Sequence, residues 1–257
     1  LRVGRRGLLV AGGAACLLAA TSPFVRPVRS DPDDQVVKLK AIDPRAVSSV
    51  PTSAPLVALT FDDGPDPAYT PRVLEILAQH QVRATFFMIG RSAARHPELV
   101  AAVLTAGHTI ANHTQDHLWL DRLDAADVQS QVEECRQTFD RLDVPANALF
   151  RPPRGLTSPT VASVTATLHE RSYFWGTCLE ANLSHHDVDT SAALCAERTH
   201  PGAIVLAHDG GHLDGPNPQS IDRSGTVAAL PALISLIRAR GLEFATLPTM
   251  LPARRAG

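Results

Sequence analysis

Two neighbouring carboxylates and a pair of histidines are the residues in this sequence whose types and spacing could do chemistry. Asp62 and Asp63 follow an apolar run and precede a Gly-Pro turn, where core packing gives no reason for an acid. His113 and His117 are spaced i, i+4, so on a helical turn both imidazoles would face the same way. Two histidines and one carboxylate form a three-ligand set that leaves positions on a divalent metal open for water. Together they predict a hydrolytic metal site, whereas each motif alone is more often a solvated turn or a surface pair.

Two further polar residues follow apolar runs. Arg151 precedes two prolines, whose rigid turn would place its guanidinium for bidentate pairing with a carboxylate. His208 ends the apolar run 203–207 and adds a titratable imidazole. Taken alone, they would be an exposed loop arginine and a structural histidine. Beside a metal site, a carboxylate-pairing arginine and a titratable imidazole at the same edge of the sheet are the favoured interpretations.

The elements that must position these residues are short apolar runs alternating with helical patterns. Seven strands are predicted: Leu56–Thr60, Ala84–Ile89, His108–Ala111, Ala148–Arg151, Ser172–Gly176, Ala203–His208 and Leu242–Thr246. The clearest helices are predicted over Ala125–Leu142, behind an N-cap at Asp124, and over Val227–Arg240, which Gly241 ends. Regular alternation predicts an α/β fold with a parallel sheet, wound into a barrel or left as an open layer. Active sites in such folds lie at the carboxyl ends of the strands, where the polar residues stand.

Composition limits the classes of partner. The 257 residues carry 24 Lys and Arg against 26 Asp and Glu, a formal net charge of −2, and 44% of them are hydrophobic. A chain of this length and composition can bury a sizeable core. The balanced charge gives no basic excess for nucleic acid, so no nucleic-acid partner is expected.

The N-terminal segment resembles a targeting sequence. Arg2, Arg5 and Arg6 precede an apolar run from Gly7 to Ala20, which is short for a membrane span of about 20 residues. We expect a signal peptide or N-terminal anchor over 1–30, with export to a secreted or cell-envelope location. Any membrane contact would come only through an uncleaved N-terminal segment. A Pro-rich linker is predicted over 31–54, a catalytic domain over 55–249 and a tail over 250–257.

Cysteines leave two alternatives open. Cys178 and Cys195 are close in sequence and could form a disulfide after export, or these two and Cys135 could be buried thiols. The run His185-His186-Asp187 could bind a second metal, although a polar loop is the commoner reason for such a run.

Several motifs in order give the chain a family resemblance. They are Thr60 to Pro65, the H-T-x-x-H set from His113 to His117, the R-x-P turn from Arg151 to Gly155, and Ile204 to Asp209. Over roughly residues 55 to 249 the chain resembles the polysaccharide deacetylases of carbohydrate esterase family four, which include chitooligosaccharide and peptidoglycan deacetylases. The resemblance implies a distorted seven-stranded (β/α) barrel. It also implies a metal-dependent hydrolase that removes acetyl groups from an acetylated polysaccharide.

The resemblance also implies a role for each matching residue. It implies a divalent metal, usually Zn²⁺ with Co²⁺ or Ni²⁺ as alternatives, held by Asp63, His113 and His117. It makes Asp62 the general base, oriented by Arg151. His208 would protonate the leaving amine or alcohol.

Two positions depart from the family pattern. Arg154 stands where relatives usually have an aromatic residue; the resemblance assigns its backbone N–H to the oxyanion and places Leu206 in the acetyl-methyl pocket. The Asp-Trp pair expected after the fifth strand is missing, and Glu180 could replace its Asp as the partner of His208, with Asp187 and Asp189 as weaker candidates.

Two other functions compete with deacetylation. A catalytically silent glycan-binding module would keep the fold and the metal, but it would need neither a base nor an acid. A metal-dependent peptidase or phosphoesterase is disfavoured because the sequence has no H-E-x-x-H motif. The motifs leave the substrate open among cell-wall glycan, a chitin-like polymer and acetylated xylan.

Overall fold

The computed structural model describes residues 38–183, 185–211 and 221–251. Within them, eight parallel strands form one curled sheet, an α/β half-barrel with helices packed outside it. The strands are β1 (Leu56–Asp62), β2 (Thr85–Met88), β3 (Thr109–Asn112), β4 (Leu149–Phe150), β5 (Arg171–Ser172), β6 (Thr177–Cys178), β7 (Ile204–His208) and β8 (Glu243–Phe244). Their order is β5-β4-β3-β2-β1-β7-β6, and β8 pairs with the start of β1. The predicted α/β class and barrel-like winding are confirmed.

The side chains of β1 face alternately the core between the sheet and the helices and the inside of the half-barrel. Leu59 and Phe61 belong to the cluster between the sheet and the helices, whereas Ala58 belongs to the cluster inside the half-barrel. Successive side chains of a strand point to opposite faces, so Thr60 and Asp62 share the inner face with Ala58. The strand therefore delivers a carboxylate to the inside at its carboxyl end.

The helices lie between successive strands, apart from the last, which follows β8. They are α1 (Thr70–Gln79), α2 (Gly90–Arg95), α3 (Pro97–Thr105), α4 (Ala125–Arg141), α5 (Pro159–Thr167), α6 (Glu180–Leu183), α7 (Val188–Glu197), α8 (Ser224–Ala239) and α9 (Leu247–Met250). The side chain of Asp124 accepts a hydrogen bond from the Asp127 N–H and caps α4, as predicted. Gly241 follows α8 with φ 77°, a left-handed conformation that suits glycine.

The strands differ from the predicted ones mainly in length. β4, β5, β6 and β8 have two residues each, and β6 was not predicted. A two-residue strand carries too little alternation to be recognised in the sequence. Its position is fixed by pairing, because Thr177 and Cys178 align with Val205 and Leu206 of β7.

Part of the predicted 31–54 linker is packed into the domain. The Val47 N–H donates to the Ser172 carbonyl (2.9 Å), and the Val50 N–H donates to the Gly202 carbonyl (2.8 Å). Val47 and Val50 are buried. Since β5 and β6 do not pair with each other, this segment fills the seam of the half-barrel between β5 and β7. The prolines around it gave the appearance of a linker, but the backbone bonds tie the segment to the sheet.

Two sequence expectations fall outside the described residues: the targeting segment 1–30 lies entirely outside them, and the predicted tail 250–257 lies outside them except for residues 250 and 251. No helix in the described ranges is long and apolar enough to cross a membrane. The cysteines among the described residues, Cys135, Cys178 and Cys195, are free thiols, so the disulfide alternative is wrong. Cys135 and Cys195 are buried as the thiol alternative has it, whereas Cys178 is half-buried.

Candidate active site

The candidate site lies at the carboxyl ends of β1, β3 and β7. Asp62 ends β1, His208 ends β7, and the two are register partners across the β1–β7 pair. His113 directly follows Asn112, the last residue of β3. Parallel strands present their carboxyl ends at one edge of a sheet, so residues far apart in sequence meet here.

Left-handed backbone at three positions turns the side chains into the site. Asp63 has φ 73°, Thr114 φ 70° and His117 φ 58°. Such conformations cost energy for residues with a side chain and persist where the surroundings enforce them, often at functional sites. The turn at Asp63 interrupts the strand alternation and brings Asp63 beside the histidines. The predicted helical turn for His113 and His117 is wrong, because they lie in a non-helical loop that bends at Thr114.

Asp63, His113 and His117 form a buried group of three potential metal ligands. Asp63 Oδ1 lies 3.4 Å from His113 Nε2 and 3.1 Å from His117 Nε2, and the three ligand atoms lie within 4.8 Å of one another. His113 Nδ1 lies 2.7 Å from the Arg151 carbonyl oxygen. A carbonyl only accepts hydrogen bonds, so Nδ1 carries the proton and the Nε2 lone pair faces Asp63. This donor set fits a divalent metal such as zinc.

Charge at this group favours an ionised carboxylate. Burial alone would raise the pKa of Asp63, but the adjacent His117 and His113 outweigh it and hold that pKa well below its usual range. Burial lowers the pKa of His117, with Asp63 opposing the shift. An ionised Asp63 beside a neutral imidazole is the protonation state that a metal requires of its ligands.

Asp62 is held by a buried arginine. Arg151 is fully buried, and its Nη1 donates to Asp62 Oδ1 at 2.6 Å. The other guanidinium bonds go to Thr60 Oγ1 and to the carbonyls of Tyr173 and Phe174. The predicted bidentate pairing is therefore wrong, because only one nitrogen reaches the carboxylate. The remaining bonds fix the guanidinium and leave Asp62 Oδ2 directed towards His113 Nε2, 3.8 Å away.

His208 has a carboxylate partner in Glu180. Glu180 Oε2 lies 3.2 Å from His208 Nδ1, an ion-pair distance, although Nδ1 does not meet hydrogen-bond geometry with that oxygen. Glu180 Oε1 accepts from the His208 backbone N–H (2.8 Å) and from Thr226 Oγ1 (2.7 Å). Burial would lower the pKa of His208, but the Glu180 carboxylate outweighs it and raises that pKa. Burial opposes the shift of Glu180 as well, yet His208 and Thr226 hold the pKa of Glu180 at about 2.

Comparison with known proteins identifies the family. A family model described as polysaccharide deacetylase matches residues 49–171. The peptidoglycan-N-acetylglucosamine deacetylase of Bacillus cereus is 34% identical over 203 residues, which cover 79% of this chain and 91% of that protein. The chitooligosaccharide deacetylase of Sinorhizobium fredii is 37% identical over 207 residues, covering 79% and 95%. The chain belongs to the polysaccharide deacetylase family.

Solved structures support the same assignment for the deacetylase. The Bc1960 peptidoglycan N-acetylglucosamine deacetylase superposes with a TM-score of 0.71 at 29% identity, covering 80% of this chain and 92% of that one. A family 4 carbohydrate esterase from Streptomyces lividans, solved with acetate, superposes with a TM-score of 0.65 at 30% identity, covering 74% and 91%. The half-barrel is therefore the fold of the family.

The wall next to His117 differs from the aromatic one that the resemblance predicts. The Arg154 guanidinium stacks 4.2 Å from the centroid of the Trp119 ring, and Arg122 stacks 4.1 Å from the same ring. Arg154 Nη1 also donates to the His117 carbonyl at 3.0 Å. Arg154 thus supports the loop that carries a ligand, while Trp119 supplies an aromatic surface from another element. Leu206, buried in β7, pairs in register with Thr60 beside the site.

The alternatives for Glu180 and for a second metal are distinguished by geometry. Asp187 accepts from the Thr190 N–H and caps α7, which accounts for an acid at that position. Asp63, His113 and His117 are the one candidate metal group found among the described residues. Of the three acids considered as the partner of His208, Glu180 is the one in contact with it.

Sequence reasoning missed Arg223 and Thr226. Arg223 Nη2 lies 3.1 Å from Asp63 Oδ2, and its Nε donates to the Gly210 carbonyl at 2.6 Å. Arg223 directly precedes α8 and Thr226 lies in its first turn. Neither belongs to the motifs that carry the family resemblance. The weak signal that could have found Arg223 is a basic residue at a helix start, where the helix dipole disfavours it.

Proposed function

We propose that this protein is a metal-dependent deacetylase that hydrolyses the N-acetyl group of N-acetylglucosamine residues in a glycan. One observation carries the proposal. The three-ligand group is flanked by a carboxylate with its own buried arginine and by an imidazole with its own buried glutamate. Metal binding alone would need neither of these pairs.

The first half of the reaction belongs to Asp62. A bound divalent metal polarises the acetyl carbonyl and makes a water molecule more acidic. Asp62 would take the proton of the attacking water through Oδ2, the oxygen that Arg151 leaves available. Arg151 balances the charge of the carboxylate and fixes its orientation. The backbone N–H of Arg154 would donate to the developing oxyanion, and Leu206 would contact the acetyl methyl group.

The second half belongs to His208. Its pKa is raised because Glu180 outweighs burial, so the imidazole remains protonated to higher pH than an isolated histidine. A protonated His208 would give its proton to the leaving nitrogen as the C–N bond breaks, releasing acetate and a free amine. Glu180 would be the partner of His208, the role that the resemblance gives to the Asp of the missing Asp-Trp pair.

The choice of substrate rests on the relatives. The Bacillus cereus and Sinorhizobium fredii relatives are named for N-acetylglucosamine in peptidoglycan and for chitooligosaccharides. Both substrates share the N-acetylglucosamine unit, so this unit is the proposed point of reaction, with acetylated xylan as the competing substrate.

Acetate release from chitooligosaccharide, peptidoglycan and acetylated xylan tests the proposal, with and without chelator and added Zn²⁺. We expect release from the first two substrates that chelator abolishes and zinc restores. Asp62→Asn should bind zinc as the wild type does but lose turnover by about 10²–10⁴-fold. Asp140→Asn, an exposed acid on α4, is the matched control and should keep full activity. Full activity in Asp62→Asn would refute the assigned base, and release only from xylan would refute the substrate.

We also propose that the protein acts outside the cytoplasm. The basic and apolar residues between 1 and 20 support export. Fractionation of cells that express the full chain should place the protein in the medium or the envelope. Recovery from the cytoplasm alone would contradict this.

A further inference from the structure

The residues at the start of α8 contact both reactive parts of the site. Arg223 directly precedes α8, and Thr226 is its third residue. Arg223 donates to Asp63, and Thr226 donates to Glu180, which in turn contacts His208. Among the described helices, α8 is the one whose start has side-chain hydrogen bonds to both Asp63 and Glu180.

Arg223 binds one carboxylate oxygen of Asp63 and leaves the other facing the two histidines. Oδ2 lies 3.1 Å from Arg223 Nη2, while Oδ1 lies within 3.4 Å of both histidine Nε2 atoms. Arg223 is itself 8% exposed, and its second bond to the Gly210 carbonyl holds it in place. A carboxylate held in this way presents one oxygen to the ligand position and cannot rotate to present the other.

Thr226 performs the equivalent task for Glu180. Its hydroxyl is buried and donates to Glu180 Oε1 at 2.7 Å, the oxygen that also accepts from the His208 N–H. With Oε1 held from two directions, Oε2 is directed towards the His208 ring. Glu180 begins the short helix α6 and therefore depends on a neighbouring element for its orientation.

The buried remainder of α8 holds the first turn of this helix in a fixed position. Leu230, Leu233, Ile234 and Ile237 are fully buried in the cluster between the sheet and the helices. Arg223 and Thr226 are three residues apart, so they lie on the same face of the first turn. We propose that Arg223 is a positioning residue for the metal ligand Asp63, and that Thr226 is a positioning residue for His208 through Glu180. This inference rests on the proposed function, since it assigns both residues to that site.

The Arg223 half is tested by zinc affinity, measured by competition with a chromophoric chelator. Arg223→Gln should weaken zinc binding about 10- to 100-fold, and Arg223→Lys should weaken it less because the lysine ammonium can still donate a hydrogen bond to Asp63 Oδ2. Arg240→Gln, on the exposed C-terminal end of the same helix, is the matched control and should bind zinc as the wild type does. Circular dichroism of the zinc-free variants shows whether they are folded. If Arg223→Gln is unfolded, Arg223→Lys alone decides. Affinity equal to wild type in a folded Arg223 variant overturns this half.

The Thr226 half is tested by the pH profile of acetate release. Charged groups that face His208 are Glu180 on α6, Asp63 and Asp62 at the end of β1, and Arg223. Thr226→Val removes the hydroxyl at nearly constant volume, so Glu180 would spend part of its time away from Nδ1. The alkaline limb should move down by about half a pH unit or more, while zinc affinity stays at the wild-type value. Thr226→Ser should restore the limb. An unmoved limb in Thr226→Val, or a shifted one in Thr226→Ser, overturns this half.

The outcomes separate this inference from the proposed function. If the wild type releases no acetate from any glycan, the proposed function and the Thr226 half fail, while the zinc comparison still decides the Arg223 half. If the wild type does not bind zinc, the metal site and the Arg223 half fail together. Weaker zinc binding in Arg223→Gln combined with a shifted limb in Thr226→Val is the result that supports both halves.

Discussion

Replacing Arg151 by methionine should be among the most damaging single changes to stability. Arg151 is fully buried, and methionine fills much of its volume without its charge or donors. Removing one partner of a buried ion pair leaves Asp62 as an uncompensated charge, which costs about 3–5 kcal/mol. The carbonyls of Tyr173 and Phe174 lose a donor each, at about 1 kcal/mol apiece. Because these contributions are not additive, we expect a loss of at least about 3 kcal/mol from a domain whose total is about 5–15 kcal/mol.

Removing the partner as well should recover part of that loss. In the double variant Asp62→Asn, Arg151→Met, no charge remains unpaired, so the free energy of unfolding should rise by about 1–3 kcal/mol over Arg151→Met alone. Urea denaturation of both variants and of each single change completes a double-mutant cycle. Arg238→Met, a half-buried arginine at the end of α8, is the control and should stay within about 1 kcal/mol of wild type. A loss below about 1 kcal/mol in Arg151→Met would refute the reasoning, as would a double variant no more stable than the single one.

Glu180→Gln removes the charge 3.2 Å from His208 Nδ1. Since that charge raises the pKa of His208, the alkaline limb of kcat/KM should move to lower pH, and a limb at the wild-type pH would contradict the pairing. Zinc at about a hundredfold excess over its dissociation constant should stabilise the folded protein by about 2.7 kcal/mol. Calorimetry should show this as a higher Tm, and a chelator should reverse the increase. A Tm that neither zinc nor chelator changes would argue against a metal site in the folded state. Gly202 has φ 86° and lies against the Val50 carbonyl, so Gly202→Ala should lower the free energy of unfolding, measured by urea denaturation, by about 1–3 kcal/mol. Gly176→Ala, in more open surroundings, is the control and should lower it less. Equal losses would show that the contact with Val50 is unimportant.

Residue type and order were enough to predict much of the site. The acids after β1, the histidines after β3, Arg151 and His208 all stand directly after apolar runs, and the structure brings them to one edge of the sheet. Glu180 was foreseen only as one of three acids, because its contact with His208 depends on a helix four residues long. Local pattern can name such candidates but cannot choose among them.

Other features depended on contacts that no local pattern encodes. Arg223 reaches Asp63 across 160 positions of sequence, and Thr226 reaches Glu180 across 46. The i, i+4 spacing of His113 and His117 pointed to a helix, but left-handed residues in a loop produce the same convergence. The prolines between 31 and 54 indicated a linker, because nothing in the local sequence shows that residues 47–50 bond backbone near β5 and β7, far along the chain.

That last segment has a consequence for the order in which the molecule assembles. Residues 47–50 leave the ribosome before any of the described strands, yet the backbone they bond, at Tyr173 just after β5 and at Ala203 just before β7, is made far later in the chain. Contacts of such high sequence separation form late, since the intervening chain must be ordered first. Until then, the backbone groups along the gap between β5 and β7 are exposed, and other chains could pair with them. We expect chaperone dependence and aggregation during synthesis or refolding to be governed by how quickly this early-made segment returns to close the fold.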